Sequence, residues 1–150
     1  MRNVLAAGVV ILAIIAGALY YYLGIWSGEQ ALTRDVYPLY QQLQWSSPQK
    51  ADVMGMQGTK VESDPIVNIT DLASVTRPFT QYYEQKLEAN DWVVDSSLAA
   101  GGPGAEQIGY TKGNDYVILG YQSVFHVRPV DAPVQCPCDI TFSIWSGSKK

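Results

Sequence analysis

"DLASVTRPFTQYYEQKLEANDWVV", residues 71–94, is the stretch on which the fold turns. Val75, Phe79, Tyr82, Tyr83 and Leu87 recur at spacings near four, while Gln81, Glu84, Gln85 and Glu88 fall between them. That is the periodicity of a helix with one apolar face. Thr76 is a suitable N-cap, which would put Pro78 in the first turn, where its missing N–H costs nothing. Asn90 can adopt the left-handed conformation that ends a helix, and Trp92 then begins a returning strand, "WVVDSSL". A long amphipathic helix running straight into a strand calls for a sheet on which to lay its apolar face.

The sequence on the C-terminal side supplies that sheet. "EQIGYTK" and "DYVILGYQSV" read as two strands joined through Lys112-Gly113-Asn114-Asp115, a hairpin with residues suited to positive φ. "CDITFSIW" alternates Ile140, Phe142 and Ile144 with Thr141, Ser143 and Trp145. "AAGGPGA" reads as a flexible turn, and "HVRPVDAPVQCP", with three prolines, as a loop or edge crossing. On the N-terminal side "PIVNIT" is short and β-branched, hence a plausible strand. The expected fold class is α+β: one main helix packed on a four- or five-stranded antiparallel sheet over residues 65–150.

Residues 27–64 are expected to be a juxtamembrane stalk or linker. Leu32, Val36, Leu39, Tyr40 and Leu43 admit a short helix from about Asp35, and the polar stretch from Ser46 to Asp64 admits an edge strand around Asp52–Gly58 or a loose connector. Before it, Val4 to Trp26 contains no charged side chain. As a helix the run would reach about 34 Å, enough for a hydrocarbon core of about 30 Å. It reads as an uncleaved signal-anchor, with Tyr20–Tyr22 and Trp26 at the interface. The alternative is cleavage after Ala18, at the small-residue site Ala16-Gly17-Ala18, against which stands the apolar run continuing past it. No cysteine lies nearby to carry a lipid.

Orientation follows from Arg2, which precedes the span, whereas Arg34 is the first basic residue after it. The positive-inside rule leaves residues 1–3 in the cytoplasm and exports residues 27–150 across the cytoplasmic membrane. The exported part holds nine basic residues against 14 acids, a balance unfavourable to nucleic acid or anionic lipid. The bilayer is the expected partner of residues 4–26, and a second envelope protein that of the domain.

Motifs for catalysis are absent from the sequence: no G-x-S-x-G, no H-E-x-x-H, no phosphate-binding glycine loop opening a helix. The single histidine, His126, stands beside Val127 and Arg128 with no serine or carboxylate at motif spacing. No enzyme activity and no cofactor are expected. Asn68-Ile69-Thr70 matches a glycosylation acceptor, a pattern common by chance. The ten tyrosines would furnish an aromatic binding strip if several were exposed, but they fit a core or a membrane interface equally well.

Cys136-Pro137-Cys138 holds the only cysteines. Outside the cytoplasm an even count permits an internal disulfide. In an extended strand the two Cα atoms would stand roughly 6.6 Å apart, so the backbone would have to bend to join them. Three readings stand side by side: a local disulfide with a conformational role, a redox-active pair, and a metal clip. For a redox pair, Gln135 and Asp139 offer no cation to activate a thiol. A tetrahedral metal site would need two more ligands, from His126, an acid or a second chain.

The run "FTQYYEQKLEANDWVV", with the glycine-rich turn and "IGYTKGNDYVILGY" after it, resembles a pattern found in uncharacterised bacterial membrane-anchored proteins and lipoproteins. Tyr82, Tyr83, Leu87, Trp92, Tyr110, Lys112 and Gly113 match it; Asp91 stands where the pattern has glycine, and Asn90 beside it can supply the same turn. The resemblance covers about half the exported part. It implies a fold and an envelope location and carries no catalytic residues. The expected function is that of a membrane-anchored extracytoplasmic binding or accessory protein of the cell envelope. The alternative is a membrane-tethered thiol–disulfide or metal-handling protein using Cys136 and Cys138.

Overall fold

The computed structural model describes residues 39–102, 104–125 and 136–149, together with Ile15, Asp35 and Val36. The apolar run 4–26, apart from Ile15, and His126 lie outside the described residues; among those that are described, no helix is long and apolar enough to cross a membrane. The chain forms β1 (Gln49–Val53), β2 (Met56–Glu62), β3 (Ile66–Ile69), α1 (Leu72–Glu88), β4 (Val93–Val94), a 3-10 turn (Ser96–Leu98), β5 (Ala100–Gly102), β6 (Ala105–Lys112), β7 (Asp115–Phe125) and β8 (Cys138–Ser148). One helix packs on an antiparallel sheet, as the α+β reading expects.

The sheet has eight strands rather than four or five, in the order β1-β2-β8-β7-β6-β4, with β3 also on β8 and β5 also on β6. The difference has two sources. The polar stretch expected to hold an edge strand around Asp52–Gly58 or to be a loose connector is a hairpin, Gln49↔Lys60 to Val53↔Met56, that adds two strands, and β2 lies inside the sheet beside β8. Its tight turn uses Met54 and Gly55, both at positive φ, as a two-residue hairpin loop requires. In addition, two strand positions are each interrupted. β2 and β3 run end to end along β8 across a break at Ser63–Pro65, and β4 and β5 run end to end along β6 across the 3-10 turn.

Period-two alternation divides the side chains between two faces. Val61, Ile108, Tyr110, Val117, Leu119, Ile140, Phe142 and Ile144 face α1, and pack with Phe79, Tyr83, Leu87 and Trp92 into the main core. Phe79 and Phe142 meet with ring centroids 4.3 Å apart. The segment before β1 closes over this core: Val36 is fully buried, Leu39, Tyr40, Leu43 and Trp45 pack on it, and the Tyr40 amide donates to the Tyr83 hydroxyl at 2.9 Å.

Helix α1 begins at Leu72, four residues before the expected Thr76 cap, with Asp71 as the N-cap accepting from the Ala73 amide. Pro78 therefore lies inside the helix, where it deletes the bond to the Ser74 carbonyl. The Asp71 cap and the packing of Leu72 and Val75 against the core offset that loss. At the other end Trp92 N–H bonds to Leu87 O and Asp91 N–H to Glu88 O, the paired bonds of a Schellman motif. The left-handed residue is Asp91, at φ +62°, not Asn90. In this chain an aspartate takes the left-handed conformation at position 91, where the pattern noted above has glycine.

Candidate functional site

The opposite face of the sheet is covered only in part. There the 3-10 turn, capped by Asp95, lies on Gly109: a Cβ at that position would run into Leu98 and sit 2.9 Å from the Asp95 carbonyl oxygen. Leu98, Tyr116 and Ile118 form a small second core with Met56 and Trp145 at its margin. Beyond Trp145 the cover ends. A groove of about 380 Å³ opens there, within the size range of small-molecule sites.

Each wall comes from a different strand. β2 contributes Lys60 and Glu62, β8 contributes Thr141, Ser143 and Trp145, β7 contributes Gln122, β6 contributes Gln107, and the backbone of Ala100–Gly102 in β5 closes the far side. Glu106 and Tyr121 line the rim through their backbone, because they pair with each other in a register that turns both side chains to the helix face. Their Glu106 carboxylate accepts from the Tyr121 hydroxyl at 3.2 Å; burial first, then that carboxylate, raises the Tyr121 pKa.

Gly120 lies beneath three of the lining side chains. A Cβ there would stand 2.9 Å from the Trp145 ring, 3.1 Å from Ser143 Oγ and 3.3 Å from Gln107 Cγ, so glycine lets these three side chains close together over the sheet. Electrostatically the groove is balanced. Lys60 Nζ lies 2.6 Å from Glu62 Oε1 and 4.9 Å from the centre of the Trp145 ring, so its one ammonium is committed to a carboxylate and an indole. Gln107, Gln122, Thr141 and Ser143, in contrast, place no side-chain hydrogen bond on the described protein.

A second polar cluster joins the helix end to the segment before β1. Asp35 is fully buried and its Oδ2 accepts from Trp92 Nε1 at 2.9 Å, with Lys112 Nζ 3.7 Å away. Lys112 also donates to the Asn90 carbonyl at 2.6 Å. Three of the residues that carry the resemblance, Leu87, Trp92 and Lys112, thus converge on the helix terminus, and their work is to hold it.

The cysteines open β8. The Cys136–Pro137 peptide is cis, the two Cα atoms are 4.6 Å apart rather than the 6.6 Å of an extended strand, and the sulfurs are at bonding distance. Cys138 is fully buried against β3, its Sγ 3.9 Å from the Ile69 carbonyl. Among the described residues no group of three potential metal ligands occurs. Asn68 is exposed in the irregular part of β3 at φ +55°, its amide bonded to Asp139. Of the described tyrosines, Tyr83, Tyr110 and Tyr116 are buried and Tyr40, Tyr82 and Tyr121 pack on the core, so they form no exposed strip. Tyr20–Tyr22 and Tyr37 lie outside the described residues.

No protein-family model, no curated protein and no solved structure matches this chain.

Proposed function

We propose that this protein is a membrane-tethered binding protein of the cell envelope, anchored through residues 4–26, that presents the groove on the helix-free face of its sheet to a ligand outside the cytoplasm. The observation that carries the reading is the groove itself: a concave polar surface with four polar side chains uncommitted and a tryptophan among its lining. Its contents favour binding over catalysis. The one ion pair is exposed in part and no buried acid or base stands among the lining side chains.

Two features support the tether and the compartment. Asp35 and Val36 are buried in the domain, so nine peptide units separate it from Trp26, a reach of at most about 30 Å. The domain would then sit close to the bilayer rather than on a long stalk. A Cys136–Cys138 bond suits an oxidising compartment. The thiol–disulfide or metal alternative draws less support, because Cys138 is buried and the described residues complete no group of three metal ligands with the pair.

The test of place is alkylation of intact cells with a membrane-impermeant maleimide, with and without an impermeant reductant, read by mass spectrometry at Cys136 and Cys138. Labelling only after reduction supports the proposal. Thiols silent in intact cells and free after lysis would put the domain inside and overturn it.

A further inference from the structure

We infer that the groove binds a stretch of neutral glycan chain. This rests on the reading of the groove as a binding site and adds the chemistry of its ligand.

The first argument is charge. The groove's side chains bring one cation and one anion, Lys60 and Glu62, and these neutralise each other at 2.6 Å. An anionic ligand would have to take Lys60 from both Glu62 and the Trp145 ring. A cationic one would have to displace that same ammonium from its carboxylate. Neither gains a free counter-charge, and both lose hydration on entering.

The second argument is hydrogen bonding. Gln107 and Gln122 each offer an amide donor and acceptor, and Thr141 and Ser143 each a hydroxyl that donates or accepts. A ligand bearing many hydroxyls, each also donor and acceptor, satisfies such a set without a charge on either side. Next to these groups the half-buried Trp145 indole, with Lys60 over its ring, supplies apolar carbon that the C–H groups of a pyranose could meet at its open edge. Polar groups beside an aromatic surface select a ligand that is polar at its edge and apolar on its face.

The third argument is length. From β2 to β5 the lining crosses five adjacent strand positions, β2-β8-β7-β6-β5, roughly 19 Å at the spacing of paired strands. That is more than one sugar ring occupies, and the far side is lined only by the small residues Ala100, Gly101, Gly102 and Ala105 and the backbone of Glu106.

The experiment uses the full chain in nanodiscs, labelled with 5-fluorotryptophan, with the Trp145 resonance assigned through Trp145→Phe. It is titrated with cellohexaose, chitohexaose and maltohexaose, with glucose and N-acetylglucosamine as single-ring controls, and with hexagalacturonate and hexaglucosamine as charged comparators. The expected result is a saturable Trp145 shift with at least one neutral hexasaccharide, at least tenfold tighter than its monomer. Gln107→Ala, Gln122→Ala and Thr141→Ala should each weaken it by about three- to tenfold with unchanged thermal midpoints. A shift with a charged hexamer alone overturns the neutral-glycan inference and leaves the groove reading standing. Equal affinity for monomer and hexamer overturns the chain-length part. No shift with any of the seven sugars overturns the glycan inference, and if amide-sensitive binding at the Trp145 resonance is also absent on titration with a solubilised extract of the cell's own envelope, the groove reading falls with it.

Discussion

Replacing Asp35 with alanine should cost this domain more than any other single polar change. The carboxylate is fully buried, accepts from the Trp92 indole at 2.9 Å and stands 3.7 Å from Lys112. Its loss removes a charge-assisted hydrogen bond, worth about 1.5–3 kcal/mol, and leaves an indole N–H unpaired in the core. Breaking a fully buried pair costs about 3–5 kcal/mol, but the Lys112 side chain is 30% exposed and water relieves part of its loss. The expected destabilisation is therefore about 2–4 kcal/mol. For a domain of roughly 110 residues, unfolding entropy near 2.1 cal/mol/K per residue converts this to a fall in midpoint of about 9–17 °C. Urea and thermal unfolding of the full chain in detergent, followed by near-UV circular dichroism, would measure it. A cycle of Asp35→Asn, Lys112→Met and the double variant separates the ion pair from the indole bond: Lys112→Met alone strands a buried carboxylate, so the double variant should be more stable than the two single losses added together. An Asp35→Ala variant within about 0.5 kcal/mol of the parent in these unfolding measurements would refute the role given to the buried carboxylate.

Three further outcomes follow from the same geometry. Asp91→Gly relieves a left-handed residue at the Schellman turn and should raise stability by up to about 1 kcal/mol, read as a rise in urea midpoint at constant slope; a loss would mean that the Asp91 side chain holds something. Tyr116 is fully buried and its hydroxyl finds no hydrogen-bond partner among the described residues, so Tyr116→Phe should stabilise by about 1 kcal/mol, whereas a loss of stability would reveal a partner for the hydroxyl. Asp95, held at about 2 by the Ser97 hydroxyl, then Lys149 and the Ser97 amide, has a folded pKa below its ordinary 3.8. Its contribution is complete above that ordinary value and is lost as pH falls from about 4 toward 2, so Asp95→Asn should flatten the acid limb of the stability profile in that window and leave its slope at neutral pH unchanged.

The helix and the three long strands were legible because burial on one face writes a period into the sequence: Phe79, Tyr83 and Leu87 along α1, and Ile140, Phe142 and Ile144 along β8. The helix start was not, because Pro78 argues locally for a first turn, while the stability of Leu72 and Val75 in that helix comes from residues far away in the chain. Strand β2 was hidden for the converse reason. Of its seven residues only Val61 is fully buried, and the groove-facing Lys60 and Glu62 give it the composition of a linker.

That same property explains why a candidate site escaped motif reading. Motifs record chemistry that one loop or one turn can assemble, whereas this groove takes two or three residues from each of five strands. Thr141, Ser143 and Trp145 were assigned to the face away from the core by alternation alone, and that was the only available signal: a half-polar strand face carrying a tryptophan. The remaining step needs register. Only when Gly120 pairs with Ser143 and Gln107, and Lys60 with Trp145, do isolated polar residues become one surface. What distinguishes this groove from an ordinary wet face is that the pairing sets Lys60 and Glu62 on one side and Ala100–Gly102 on the other around Gln107, Gln122, Thr141 and Ser143, and it is there that ligand binding has to be measured.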